Sequence, residues 1–175
     1  MTQMRKRNAF SLVELVIVVV IIGIIAAIAV PRISRGAKGA DEAALRGDLS
    51  AVRNAIDLYA AEHGGDFPAA KAAGAAAAAF TEDAFRAQVS KYSDIQGGVV
   101  DLKDTTHLYG PYLRRPMPPL PVGVNRGSVT IKVVDTGPTV DVAGGFGWIY
   151  NYLTGEIIAN ADSDDDSGST TYDQY

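Results

Sequence analysis

The chain has 175 residues, no cysteine, 47% hydrophobic residues and a net charge of −4. Without cysteine there is no disulfide, no thiolate metal ligand and no thiol nucleophile, and the acidic balance argues against nucleic-acid binding. Once a membrane segment is set aside the length suits one globular domain, because the apolar residues concentrate in residues 10–30 and in the alanine-rich stretch 69–79.

Residues 1–9 form a basic leader, with Arg5, Lys6 and Arg7 followed by Asn8 and Ala9. In residues 10–30 only Ser11 and Glu14 are plainly polar. At 1.5 Å per residue such a helix spans about 30 Å, the thickness of a bilayer's hydrocarbon core, so a transmembrane helix is predicted here. An ordinary secretory signal has a shorter apolar region of roughly 7 to 15 residues. Ala26, Ala27 and Ala29 imitate its cleavage site, so a conventional signal peptide and an uncleaved anchor stand as the plain alternatives.

Glu14 needs its own account, since a carboxylate deep in a bilayer costs about 2.5–3.5 kcal/mol on insertion scales. One account has it snorkel to the headgroups from the first turn, where a helix N-terminus favours negative charge. The other pairs it with an amine. A cut between Ala9 and Phe10 makes Glu14 the fifth residue of a new chain, one turn from a fresh α-ammonium group. Within one subunit that pair is strained, whereas between neighbours it neutralises Glu14 and sets their axial register. The cut also removes the three leader cations, taking the net charge from −4 to −7.

Arg5-Lys6-Arg7-Asn8-Ala9, then Phe10-Ser11-Leu12-Val13-Glu14-Leu15 and the apolar run to Pro31, resembles the N-terminal cleavage and methylation motif of type IV prepilins and pseudopilins. The resemblance implies cleavage before Phe10 by a prepilin peptidase/methyltransferase, N-methylation of the Phe10 amine, an assembly role for Glu14 and a helix kink at Pro31. The residue before the cut is usually glycine in this family, and here it is Ala9. Partners implied are a homo-oligomeric filament, other pseudopilins and an inner-membrane assembly platform. The implied location is the bacterial inner membrane, single-pass, with a cytoplasmic N-terminus and an outward C-terminal head. Charge alone does not set this orientation, because Arg32, Arg35 and Lys38 after the span balance the leader.

Residues 31–63 read as the amphipathic half of the same helix. Leu45, Leu49, Val52, Ile56 and Tyr59 recur at spacings of 4, 3, 4 and 3, one apolar stripe to pack on a sheet. From Phe10 to Glu62 the helix would be about 80 Å long. Gly64-Gly65 ends it, and Phe67-Pro68 begins an extended connection. The run from Leu58 through Pro68 resembles the place where pseudopilin helices finish.

Residues 64–127 read as a loop-rich connection. Its stretch 69–79 is a low-complexity linker with helical tendency, and a short helix from Thr81 to Val89 has Thr81 as its cap. Residues 128–160 read as an antiparallel β-sheet region. Ser128 to Val134 alternates, Gly147 to Tyr152 is aromatic-rich, and Glu156 to Ala159 returns after the Thr154-Gly155 turn as a hairpin partner. Gly110-Pro111-Tyr112-Leu113 and Trp148-Ile149-Tyr150 are similar to segments of pseudopilin heads. The predicted fold is α+β and pilin-like: a long transmembrane-plus-amphipathic α-helix packed on a small antiparallel β-sheet head.

Residues 161–175 form an acidic tail. Asp162, Asp164 and Asp166 alternate, and Asp173 lies 11 residues after Asp162, in partial imitation of a calcium loop. An EF-hand loop wants glycine sixth and glutamate twelfth, whereas glycine is seventh and aspartate twelfth here. A solvated tail is therefore the open alternative. The resemblance favours calcium, because major pseudopilins of type II secretion lack the pilin disulfide and bind calcium near the C-terminal end of the head.

Catalytic chemistry finds no constellation. His63 and His107 sit in turn-like settings and read as solvated loop histidines without a nucleophile or orienting carboxylate. Gly144-Gly145-Phe146-Gly147 has the wrong spacing for a phosphate cradle. The expected role is not enzymatic. It is that of a structural subunit of a type II secretion pseudopilus supporting protein export. A type IV pilus pilin and a non-polymerising, membrane-anchored extracytoplasmic binding domain are the alternatives.

Overall fold

The computed structural model describes residues 11–115, 117–162 and 171–175, and for residues 30–35 the backbone alone. The chain divides into two compact units, residues 1–39 and 40–175, with the long helix α1 (Leu12–Glu62) contributing to both. In the first unit, Leu12–Ala29 has a mean hydropathy of 3.2 and no side chain buried. Val13, Ile17, Ile22 and Ile28 are all more than half exposed. A helix that is apolar all round has no stable home in water, so this segment suits a bilayer or other apolar helices.

In the second unit the predicted stripe is the floor of the core. Leu45, Leu49, Val52, Ile56 and Tyr59 are each at most 2% exposed. The helix ends at Gly64 and Gly65, whose φ values of 70° and 97° are left-handed, and Gly65 N–H closes on the Ala60 carbonyl at 2.8 Å. Such a closure satisfies a carbonyl that the helix end leaves open.

The alanine-rich stretch departs from expectation. It forms turns rather than helix, and Ala69 and Ala73 are fully buried. The cause is a side chain from another element. Gln88, itself fully buried, accepts from Ala69 N–H at 2.6 Å and donates to the carbonyls of Lys71 and Gly97 at 3.1 and 3.0 Å. Those tertiary bonds occupy backbone groups that a helix would need. Gln88 lies on α2 (Glu82–Ser90), whose predicted cap is present: Thr81 Oγ1 accepts from Ala84 N–H at 3.1 Å.

Two small sheets complete the unit. The first, β1 (Tyr92–Ser93) against β2 (Val99–Val100), is antiparallel and has no counterpart in the sequence reading. The second has the order β3 (Ile131–Val134), β4 (Trp148–Asn151), β5 (Ile157–Ala159). The predicted hairpin is β4–β5, antiparallel with Trp148 opposite Ala159. The β3–β4 pair is parallel, with Ile131 opposite Trp148, so this sheet is mixed. A parallel pair needs a crossover of about a dozen residues, and the segment between β3 and β4 supplies it. Buried Asn160 fastens that crossover, accepting from Asp141 N–H at 2.7 Å and donating to the carbonyls of Asp141 and Phe146 at 2.8 Å.

Trp148 and Tyr150 on β4 join the stripe of α1 and Phe85 of α2 in one core, with the Phe85 and Tyr150 rings 4.5 Å apart. Both buried polar tips are satisfied. Trp148 Nε1 donates to the Pro118 carbonyl at 3.0 Å, and the Tyr150 hydroxyl donates to that of Pro68 at 2.9 Å. Burial pushes the Tyr150 phenol well above its ordinary pKa, which keeps it a donor.

Candidate functional site

The sequence points to the N-terminus. Ala9 and Phe10 lie outside the described residues. From Ser11 onward the helix is under way: the Ser11 carbonyl accepts from Leu15 N–H at 3.1 Å, and Glu14 is exposed in the first turn of α1. A carboxylate there complements the positive end of the helix dipole. The spacing Ser11-x-x-Glu14 is also that of a capping box, a local signal the sequence reading passed over. Pro31 falls within the helical span of α1, and its side chain lies outside the described residues.

At the other end of the chain, Asp164 and Asp166 lie outside the described residues. Asp162 is exposed and follows Ala161, which is fully buried. Asp173 belongs to a 3-10 turn, Tyr172–Gln174, and its Oδ1 is buried without a hydrogen-bond partner among the described residues. Among the described residues no three His, Asp or Glu side chains gather as a metal site. An orphaned buried carboxylate oxygen is nonetheless the kind of group that a cation satisfies.

The segment carrying Asp173 is clamped to α1 by residues that no local pattern marks. The Tyr172 hydroxyl donates to Glu42 Oε1 at 3.2 Å. Arg46 donates to the Tyr175 hydroxyl at 2.8 Å, and Arg53 donates to the Tyr175 backbone oxygen at 2.5 Å and the Ile157 carbonyl at 3.1 Å. Glu42, Arg46, Leu49 and Arg53 follow helical spacing, so one face of α1 receives the whole segment.

The other arginines whose side chains are described divide sharply. Arg86 holds Glu82 at 2.6 Å, and Arg126 grips Asp41 with two bonds of 2.7 and 2.9 Å. Arg114 and Arg115 are exposed and make no hydrogen bond or ion pair among the described residues. They border a groove of about 410 Å³ whose walls include Asp48, Val52, Leu113 and Pro118. Burial raises the Asp48 carboxyl above its ordinary pKa.

The two histidines are not the solvated pair expected. His63 is 2% exposed, stacked on Tyr59 with ring centroids 3.7 Å apart. His107 is tied to Asp104, whose oxygens lie 2.9 Å from Nδ1. The reason is packing: His63 directly follows α1 and turns back over it, beneath Tyr109 and Tyr112. His63 Nε2 stands 3.0 Å from Ser93 Oγ, but Ser93 is fully buried, so that pair is closed to a substrate.

A family model described as the prokaryotic N-terminal methylation motif matches residues 4–30. No curated protein and no solved structure matches the chain. The matched residues contain the leader cations Arg5, Lys6 and Arg7, the Ala9-Phe10 junction, Glu14 and the exposed apolar segment of α1. The motif implies processing by a prepilin peptidase, membrane anchoring through the apolar helix and assembly with pilins, a structural rather than enzymatic role. A methylation motif on an apolar N-terminal helix, followed in the same chain by an α+β head, supports a type IV prepilin- or pseudopilin-like protein.

Proposed function

We propose that the chain is a structural subunit of a type II secretion pseudopilus, cleaved between Ala9 and Phe10, N-methylated on Phe10 and assembled into a helical filament that supports protein export. The observation carrying this reading is the methylation motif on a helix whose apolar segment Leu12–Ala29 has no buried side chain, with Glu14 in its first turn. In the membrane the apolar surface faces lipid; in the filament it faces the same surface of other copies. Glu14 then pairs with the new amine of a neighbour, which offsets the cost of holding a carboxylate in an apolar medium. Pro31 removes one helical hydrogen bond and gives α1 a place to bend as copies pack. A cysteine-free head favours the pseudopilin over a disulfide-closed pilin.

Arg114 and Arg115, without partners among the described residues, suit a contact with acidic groups of another copy. Asp162, Asp164, Asp166 and Asp173 would hold a calcium ion, which would neutralise the acidic segment and satisfy Asp173 Oδ1. Melting the full chain in detergent micelles with calcium and with chelator tests that part, and identical curves would remove the metal.

Intact-mass analysis of the native protein tests the main reading. A mature chain beginning at methylated Phe10 is expected, and a chain retaining residues 1–9 would overturn it. Glu14→Ala should be cleaved normally yet yield at least tenfold less filament, since only the inter-subunit pair is lost.

A further inference from the structure

β3 is an edge strand of its sheet. In a parallel pair the backbone groups of successive residues turn alternately toward the partner strand and away from it. Thr130 and Val134 give their carbonyls to the N–H groups of Trp148 and Tyr152 at 3.1 and 3.2 Å, so Lys132 between them also faces β4. The N–H and carbonyl of Val133 therefore point away from the sheet, and they have no hydrogen-bond partner among the described residues. Arg86 covers the start of this edge by donating to the Val129 carbonyl at 2.5 Å. Lysine is a common guard of an open edge, but Lys132 is drawn back to Asp141 at 2.7 Å.

A cavity of about 550 Å³ lies along the uncovered part, lined by Lys132, Val133, Val134 and Asp135. Consecutive strand residues point to opposite faces, so one cavity reaches all four only along the strand edge. Its two sides differ in chemistry. On the side where Val133 and Tyr152 pack against the core, the Phe80 and Tyr152 rings stand 4.6 Å apart. On the other are Lys132 and the crossover residues Thr136 and Thr139. The Asp135 carboxylate and the hydroxyls of Thr136 and Thr139 are exposed and make no hydrogen bond or ion pair among the described residues.

Phe80 is placed here against its own preferences. Its φ of 63° is left-handed, where a bulky residue is rare, and its ring remains 55% exposed. Strain of this kind gathers where a side chain serves a ligand.

We propose that the β3 edge takes an extended segment of another protein as an added strand. The segment's backbone pairs with Val133, alternate apolar side chains meet Phe80 and Tyr152, and a basic side chain between them meets Asp135. The unpartnered peptide groups of Val133 favour a polypeptide over a saccharide. The free carboxylate favours a basic partner over a second copy, because the chain itself is acidic, with a net charge of −4. This site does not depend on the filament reading.

The test is amide hydrogen exchange by NMR on the full chain in uncharged detergent micelles, with the peptide acetyl-Lys-Thr-Val-Lys-Val-Thr-Lys-amide as probe. Without peptide the Val133 amide should exchange faster than those of Lys132 and Val134. With peptide at about ten times its dissociation constant, Val133 should exchange roughly tenfold more slowly. A strand pairs through one edge only, so of two analogues N-methylated at alternate residues one should lose binding and the other keep it. Phe80→Gly, which suits the left-handed backbone, should keep the head folded and weaken the peptide roughly tenfold. Asp135→Lys at an exposed site should weaken it about threefold, and serves if Phe80→Gly fails to fold. Several results would overturn the proposal: a Val133 amide already protected or unmoved by peptide, two analogues that bind alike, or variants that bind like the parent. Slowing that follows protein concentration without peptide would replace it with a contact between copies, and slowing by maltohexaose alone would replace it with a saccharide site.

Discussion

The Arg46 guanidinium lies 4.4 Å over the Tyr175 ring and donates to its hydroxyl at 2.8 Å, joining residues 129 positions apart. Arg53 reinforces the join from two turns further along α1, with bonds to Tyr175 and Ile157. Arg53→Ala should cost about 1–3 kcal/mol, because it strands two backbone acceptors. Arg46→Ala should cost about 0.5–1 kcal/mol, the range of an exposed cation–π contact. Urea unfolding followed by Trp148 fluorescence measures both, and an unchanged Arg53→Ala would show that residues 171–175 add nothing to the head.

Gln88 is the centre of a second long-range knot. Gln88→Leu keeps the volume but leaves Ala69 N–H and the carbonyls of Lys71 and Gly97 without their partner. A loss of about 2–4 kcal/mol is expected. Gly97→Ala should destabilise as well, since φ is +89° and a Cβ would stand 2.7 Å from Gln88 Nε2 and 2.9 Å from the Tyr59 hydroxyl. The two effects share atoms, so the double variant should lose less than their sum.

Asp104 gives a pH prediction with a definite sign. The backbone N–H of His107, then its ring, then the Thr106 N–H hold the Asp104 carboxyl well below the usual carboxylate range. A depressed folded value means that the turn is favoured above the ordinary aspartate pKa, near 4, and loses that support only as pH falls through the lower folded value. Amide exchange at Thr106 and His107 should therefore remain protected down to about pH 4. In Asp104→Asn the same amides should exchange faster at neutral pH. Equal protection in both proteins would remove the carboxylate from the account.

Arg114 and Arg115 predict an assembly defect without a folding defect. The double charge reversal to glutamate removes no intramolecular bond among the described residues, so unfolding should shift by less than about 0.5 kcal/mol. Filament yield should fall roughly tenfold or more, since like charges at an interface cost several kcal/mol. Measuring filament in sheared material beside monomer stability separates the two. A variant that assembles normally would place the pair outside the subunit contacts.

Residues 1–31 and the stripe of α1 carry signals that a linear pattern conveys completely. Basic side chains, an unbroken apolar run with one carboxylate, and spacings of 4, 3, 4 and 3 depend only on neighbours in the chain, and so do the Thr81 cap and the β4–β5 hairpin. What followed from the sequence alone was therefore a membrane helix bearing a processing motif, an amphipathic continuation and an α+β head. Tertiary structure decided the rest. Only the buried amide of Gln88 turns an alanine-rich stretch away from helix, and only the crossover fastened by Asn160 makes β3 parallel to β4. Burial of His63, taken from the sequence as a solvated residue, depends on Ser93, Tyr109 and Tyr112, which lie 30 or more positions away. The clamp on Tyr175 joins partners more than a hundred positions apart. Long-range hydrogen bonds form between residues that share no local spacing, so no periodicity in the sequence announces them.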